Sequence, residues 1–453
     1  MTHPDLLATP RDYSLFTDLY QLTMASCYAG EGIADRRASF ELFARRLPQD
    51  YRYLIAMGLD QAIDYLTKLH FSDQHLEALR QTGLFDRAPD GFWQRLEAEG
   101  FTGDVWAVPE GTALFANEPL LRVEAPLWQA QIAETYLLNA LNYQTLIATR
   151  AARLRDVAGP EVQLLEFGTR RAFSPQGALW AARAALAGGL DATSNVLAAV
   201  QLGRQPAGTM AHALVMAFTV LEGSEDDAFE AFQRYFPQAA LLIDTYDTVA
   251  AAKRLATQVA AGKTQVAAVR LDSGDLAELS QAVRSHLPAA KILASGDLDE
   301  YEIDRLRRAG AVIDGYGLGT KLVTGDPVNG VYKLVEIDGA AVMKEATSKS
   351  TLPGRKQVFR RYQGGQAVGD RLGLMTDTAA ADEQPLLQWV VKQGQAVQGP
   401  ESLDAIAART AAAVASLPTP VRQLNQPDEY AVALSEALVD LTDRTRRSLL
   451  SQP

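Results

Sequence analysis

Three short turns between Gln265 and Thr320 carry residues able to hold phosphate. DSGD (272–275), SGD (295–297) and GYGLGT (315–320) follow the apolar runs QVAAVRL, KILA and AVID. Glycine lets a backbone approach a ligand closely, and free N–H groups at a helix start attract anions. Ser273, Gly274, Asp275, Ser295, Gly296, Asp297, Gly317, Gly319 and Thr320 are therefore candidates for a polyphosphate cradle. Such turns are also ordinary connectors in α/β proteins, and only their repetition argues for more. Of five histidines, His212 alone lies at what reads as a strand-to-helix junction, GTMAHALVMAF (208–218). A neutral imidazole facing phosphate turns can act as nucleophile or base near neutral pH, whereas beside Ala and Met its competing role is packing.

The elements that must position these residues read as repeated βα units. After DSGD, Leu276, Leu279, Val283 and Leu287 share one helical face, and after SGD, Ile303 and Leu306 do. Asp299 with Glu302 reads as a capping pair, and Gly310 as the end of that helix. Further strand candidates are VQLLEFG (162–168), the GGLDATS region (188–194), PAGTMA (206–211) and ALLIDT (240–245). About seven unevenly spaced units predict an α/β fold. The expected form is an irregular (β/α) barrel over 159–321, with ligands at the carboxyl ends of its strands and a doubly wound open sheet as the alternative.

Around this lies a smaller expected α+β domain, built from 1–126 and a returning segment of about 322–379. TDLYQLTMASCYAGEG (17–32) reads as a helix capped by Thr17, and SFELFA, YLIAMG and 103–126 supply short strands. GVYKLVEIDGAAVMKEA (330–346) reads as a hairpin about Asp338–Gly339. Residues 127–158 form a helical connection, and 380–453 a helical carboxyl-terminal region.

A formal charge of -12 argues against nonspecific nucleic-acid binding. The single cysteine, Cys27, excludes an intrachain disulfide and a multi-cysteine zinc site. No apolar run is long enough to span a membrane, and MTHPDLLATPRDYS lacks a signal-peptide pattern, so a cytoplasmic location is expected. Between Lys344 and Arg361, six basic residues (Lys344, Lys349, Arg355, Lys356, Arg360, Arg361) face one acid, Glu345. A solvated loop is the ordinary reading of such a run, and closure over an anionic substrate the second.

TDLYQLTM, LLEFGTRRAFSP, GTMAHA, VRLDSGDL, ASGDLDE and GYGLGTKL, in this order and spacing over about residues 13–361, resemble nicotinate phosphoribosyltransferase of the type II phosphoribosyltransferases. The resemblance implies synthesis of nicotinate mononucleotide and pyrophosphate from nicotinate and 5-phosphoribosyl 1-diphosphate. The implied reaction is ligase-type, coupled to ATP hydrolysis through a phosphohistidine at His212. It further implies a homodimer in which Phe167 and the partner-supplied Tyr20 sandwich the pyridine ring. Arg170, Ser194, Thr209 and Arg270 lie toward the nicotinate carboxylate and nearby phosphates, with Arg171 a structural neighbour. The ribose 5-phosphate falls on the Gly/Ser turns. Asp272, Asp275 and Asp297 are left to bond ribose hydroxyls, hold Mg²⁺ through water at Asp272 or Asp297, or stabilise developing positive charge at Asp272, unless one merely caps its helix. The segment around Arg355 and Lys356 would cover the pyrophosphate.

Rival readings are separable. A nicotinamide-specific relative would place an acid where Thr193 and Ser194 stand, and Asp191 is close by. A quinolinate-type enzyme would need more basic residues and no phosphorylated histidine. A sugar-phosphate aldolase or isomerase would need a Schiff-base lysine, for which Lys321 is the sole candidate. A noncatalytic nucleotide-binding regulator would leave His212 unphosphorylated.

Overall fold

The computed structural model describes residues 6, 8–48, 50–98, 100–346 and 349–451, and for Lys349 and Leu450 the backbone alone. The chain divides into two units, 1–146 with 327–453, and 147–326.

In the continuous unit six parallel strands form one sheet: β1 (Gln163–Glu166), β2 (Ala192–Thr193), β3 (Leu241–Leu242), β4 (Ala268–Leu271), β5 (Lys291–Ser295) and β6 (Gly315–Leu318), in the order β2-β1-β6-β5-β4-β3. Helices Pro175–Ala187, Thr248–Ala260, Leu276–His286 and Glu300–Arg308 intervene, as βα patterning requires. On one face Leu165, Ala240, Ala268 and Leu293 pack together, with Phe167, Ala192 and Ala207 against them. Because side chains alternate along a strand, Phe167, Arg270 and Ser295 lie on that same face, one step nearer the carboxyl edge.

The expected closed barrel is not hydrogen-bonded through: among the described residues the sheet is open between β2 and β3. PAGTMA runs extended there without forming a strand, bonded to β2 through Ala207 N–H and the Thr193 carbonyl (2.9 Å). Edge strands of two residues offer too few groups for a ladder, and Pro206 has no N–H to donate. As predicted, the Asp299 carboxylate caps helix Glu300–Arg308 by accepting from Glu302 N–H (2.8 Å).

The discontinuous unit holds most of the chain, where the smaller domain was expected. Its seven-stranded sheet runs Ala340–Ala341, Gly330–Ile337, Arg37–Ala44, Pro119–Pro126, Asp104–Ala107, Gln388–Lys392, Gln395–Ala396. Gly330–Ile337 returns to pair antiparallel with Arg37–Ala44. The turn between it and Ala340–Ala341 places Asp338 and Gly339 at φ 47° and 78°, the positive pair a tight hairpin requires. Residues beyond 379 are not wholly helical. Gln388–Lys392 extends this sheet, and Glu383–Pro385 and Val432–Leu434 flank a second sheet on Lys356–Gln363 and Gln366–Leu374, alongside helices Leu403–Ser416 and Glu436–Leu450. Strands of three to five residues carry too little periodicity to be read alone; pairing such as Trp389 opposite Trp106 makes them.

Two further sequence expectations fail in this unit. Asp18, rather than Thr17, occupies the cap position of helix Leu19–Gly30, and its side chain makes no cap bond because it accepts from Thr135 Oγ (2.8 Å). The basic run is largely structural. Lys356 is 2% exposed, 2.8 Å from Glu41 Oε2, and donates to the Leu352 and Gly354 carbonyls. Arg360 is buried in a bidentate bond to Asp370, and Arg355 pairs with Glu336 (2.9 Å) and Glu124 (3.3 Å). A buried cation needs an internal partner, so Lys356 does not serve to cover pyrophosphate. The side chain of Lys349 lies outside the described residues.

Candidate active site

The carboxyl ends of β1 to β6 bring most of the sequence candidates of the continuous unit to one edge. His212 begins helix His212–Leu221, just after the extended segment beside β2. Its Nδ1 lies 3.0 Å from Thr245 Oγ1, beyond β3, and its Nε2 lies 4.0 Å from Asp272 Oδ2, beyond β4. The Ser295 hydroxyl, at the end of β5, donates to Asp272 Oδ1. The Asp272 carboxylate thus stands between an imidazole and a hydroxyl supplied by other segments of the same edge.

The turns divide their work. Gly296 has φ +103°, and a Cβ there would collide with the Asp272 carbonyl oxygen, so glycine allows the second turn to lie directly against the first. Asp275 caps its helix, its Oδ1 accepting from Ala277 (3.0 Å) and Glu278 (3.2 Å) N–H. Ser273, Gly274, Asp297 and Gly296 are exposed, Gly319 and Thr320 partly so. Gly317 differs from the phosphate-turn expectation: it is buried within β6, where an added Cβ would stand 2.5 Å from Phe167 Cδ2. Its missing side chain gives the Phe167 ring its place. Gly317→Ala is expected to cost about 1–3 kcal/mol through overpacking, seen as a lower urea midpoint at unchanged slope.

On the same face Arg270 donates through Nη1 to Thr209 Oγ1 (2.6 Å), while its Nε is buried without a hydrogen-bond partner. Burial pulls this guanidinium's pKa below the usual arginine value, with Asp272 and Asp244 opposing that shift and Arg170 adding to it. An arginine so held offers donors to an incoming anion. Arg170 and Arg171 lie in the short 3-10 turn Thr169–Arg171 and are exposed.

Sequence reasoning did not single out Glu166, Asp244 or Thr245 as site residues. Glu166, 1% exposed, accepts from Thr193 Oγ and from Gly168 N–H, fixing the turn after Phe167. Burial raises its pKa, against the lowering effect of those two bonds. The one signal for the others was a polar pair, Asp244–Thr245, closing the apolar run ALLI. Ser194 is half-buried just past β2, its N–H donating to the Glu166 carbonyl (2.9 Å).

Two rival readings lose their residues. Asp191 precedes β2 and accepts from Arg155 (2.7 Å) and Leu164 N–H (2.7 Å), at the amino edge of the sheet. Lys321 is paired with Asp299 at 2.8 Å, where a Schiff-base amine would need to be neutral and free. In the discontinuous unit, Tyr20 is 46% exposed on helix Leu19–Gly30. A cavity of about 1000 Å³ in that unit, lined by Trp389, Glu110, Asp60 and Arg409 among others, contains Arg360 of the basic run but none of the nicotinate or phosphate candidates.

Comparison with known proteins gives this edge its context. Residues 15–142 match the nicotinate phosphoribosyltransferase (NAPRTase) N-terminal domain, residues 162–295 the NAPRTase family and residues 374–442 the NAPRTase C-terminal domain. The chain is 40% identical over 452 residues to nicotinate phosphoribosyltransferase pncB2 of Mycobacterium tuberculosis, spanning 96% of this chain and 94% of that one. It is 43% identical over 380 residues to nicotinate phosphoribosyltransferase of Bacillus subtilis, spanning 80% and 76%. In structure it resembles human nicotinic acid phosphoribosyltransferase, with a TM-score of 0.83 at 31% identity over 94% of this chain and 99% of that one. The three family models, together with a relative 40% identical over 96% of this chain, show that the chain belongs to the nicotinate phosphoribosyltransferase family.

Proposed function

We propose that the chain joins nicotinate to 5-phosphoribosyl 1-diphosphate, forming nicotinate mononucleotide and pyrophosphate, with ATP hydrolysis coupled through His212. The observation that carries the substrate assignment is Arg270: a half-buried guanidinium, bonded to Thr209, with a partnerless Nε on the face that Phe167 also lines. A flat ring bearing a carboxylate answers both groups, the ring against Phe167 and the anion on Arg270 and Thr209, with Ser194 and Arg170 nearer the rim.

In the transfer, the ring nitrogen forms a bond to C1′ of the donor as the C1′–oxygen bond to diphosphate breaks. Positive charge develops on the sugar, and Asp272 is the carboxylate of the turns that would stabilise it. Backbone N–H groups of Gly296, Gly319 and Thr320, with the Ser273 and Ser295 turns, hold the phosphates. Asp272 or Asp297 would hold Mg²⁺ through water, and the ion would supply charge neutralisation to the departing diphosphate. This arrangement fits a cation that keeps its waters, since among the described residues no cluster of three acidic, His or Cys side chains forms a protein-only cage.

His212 is the residue that takes the γ-phosphoryl group of ATP. A carboxylate opposite Nε2 favours the proton there and leaves the lone pair on Nδ1, where the Thr245 hydroxyl donates until the phosphoryl group arrives. Attack by nitrogen releases ADP, and positioning with charge neutralisation does most of the work. His212→Ala is expected to abolish ATP stimulation while ATP-independent synthesis persists. Rates of mononucleotide formation with and without ATP check this; equal stimulation in variant and wild type overturns it.

A homodimer completes the reading. Val196, Leu197 and Val200, with Met216, Val220 and Leu221, are all more than half exposed, an apolar surface suited to a second copy. Tyr20 would then be contributed by the partner to the ring opposite Phe167. No described helix is long and apolar enough to cross a membrane.

A further inference from the structure

We propose that Asp244 is a positioning residue, which holds the Asp272 turn in register with His212 through two accepted hydrogen bonds. The inference rests on the reading of Asp272 as the carboxylate that works at the sugar.

Asp244 ends the polypeptide run of β3 and is 8% exposed. Its Oδ2 accepts from the backbone N–H of Asp272 (2.8 Å) and from Ser273 Oγ (2.7 Å). Its neighbour Thr245 touches His212 Nδ1 at 3.0 Å. Two consecutive residues therefore have complementary roles. Thr245 sets the ring, and Asp244 sets the backbone carrying the carboxylate that faces the ring.

The Asp272 carboxylate is itself fixed from the other side by Ser295. With the backbone held by Asp244 and the side-chain tip by Ser295, its freedom to swing toward or away from His212 is small. A carboxylate suits this place better than a hydroxyl, because one anionic oxygen can take two donors in strong bonds. Its charge also lies beside the half-buried Arg270, on the adjacent strand. The second oxygen, Oδ1, is buried and makes no hydrogen bond, so the two bonds at Oδ2 are the contacts by which the side chain acts.

Alanine at 244 frees the turn. A misplacement of about 1 Å at a reacting group costs on the order of 100-fold. Asparagine keeps a carbonyl oxygen able to accept both donors. The test measures kcat and both KM values for Asp244→Ala, Asp244→Asn and Asp272→Ala, with thermal melts of each. The expected result is a fall in kcat of about 100-fold for Asp244→Ala and at most about fivefold for Asp244→Asn, with the nicotinate KM moved less than about threefold in both. A role limited to general stability would not produce that recovery by asparagine. Asp244→Ala turning over like wild type while Asp272→Ala is impaired would overturn the inference alone; both variants at the wild-type rate would overturn the reading of Asp272 with it. Should the alanine chain fail to fold, the asparagine variant still decides. A loss in it beyond about 50-fold would mean that charge, and not the accepted bonds, matters, and the proposal would fall.

Discussion

Asp272→Ala is expected to lower kcat about 10²–10³-fold while changing the KM for nicotinate little, because on the proposed reading the carboxylate acts on charge that develops only in the transition state. The geometry favours this size of effect. Asp272 is held on two sides, by Asp244 at its backbone and by Ser295 at its Oδ1, so its charge is oriented before the substrate arrives. No reorganisation is needed at the moment of bond breaking, which is the condition under which fixed charges are worth most. Asp272→Asn should recover part of the fold of the turn but little of the rate. Steady-state kinetics with saturating nicotinate and varied ribosyl donor would check it. A kcat within about threefold of wild type in both variants would remove Asp272 from the chemistry and leave it a turn-former.

Arg270→Ala is expected to raise the KM for nicotinate about 10- to 100-fold, since on the proposed reading it deletes a partly buried charge-assisted bond of roughly 1.5–3 kcal/mol and leaves the bound carboxylate without its counter-charge. Arg270→Lys should recover little, because an ammonium cannot present the planar fork and lacks the Nε donor that is free here. The effect should depend on the substrate's charge. Nicotinamide, a poor substrate for the wild type on this reading, should lose far less than nicotinate. Comparing kcat/KM for the two bases in wild type and variant measures this selectivity directly; equal losses for both would assign Arg270 to the phosphates instead.

The chemistry-bearing turns were legible because their residue types are forced locally. A turn that packs its backbone against the Asp272 carbonyl at φ +103° has to be glycine, and that requirement writes Gly296 into the sequence. The caps Asp275 and Asp299 likewise follow from the free N–H groups of the helices they begin. Amphipathic spacing marked helices Leu276–His286 and Glu300–Arg308 for the same local reason.

Roles set by distant partners were not legible. Lys356 reads as a surface cation until Glu41, far away in sequence, is found 2.8 Å from its amine in the interior. Gly317 reads as part of a phosphate turn until the Phe167 ring, brought across by the pairing of β1 with β6, is seen to occupy its missing side chain's space. PAGTMA reads as a seventh strand, yet its neighbours in the sheet are too short to ladder with it. The βα repetition, the glycine turns and the candidate His212 could be read from the residues alone, because backbone strain, helix capping and side-chain chemistry act within a few positions of the chain, whereas Arg270 and Asp272 were marked by the resemblance of VRLDSGDL to its family motif. Folding was needed to show which cations face a ligand and which are buried in ion pairs, and that Asp244 stands beneath the Asp272 turn, because burial and partner choice depend on segments that meet only in three dimensions.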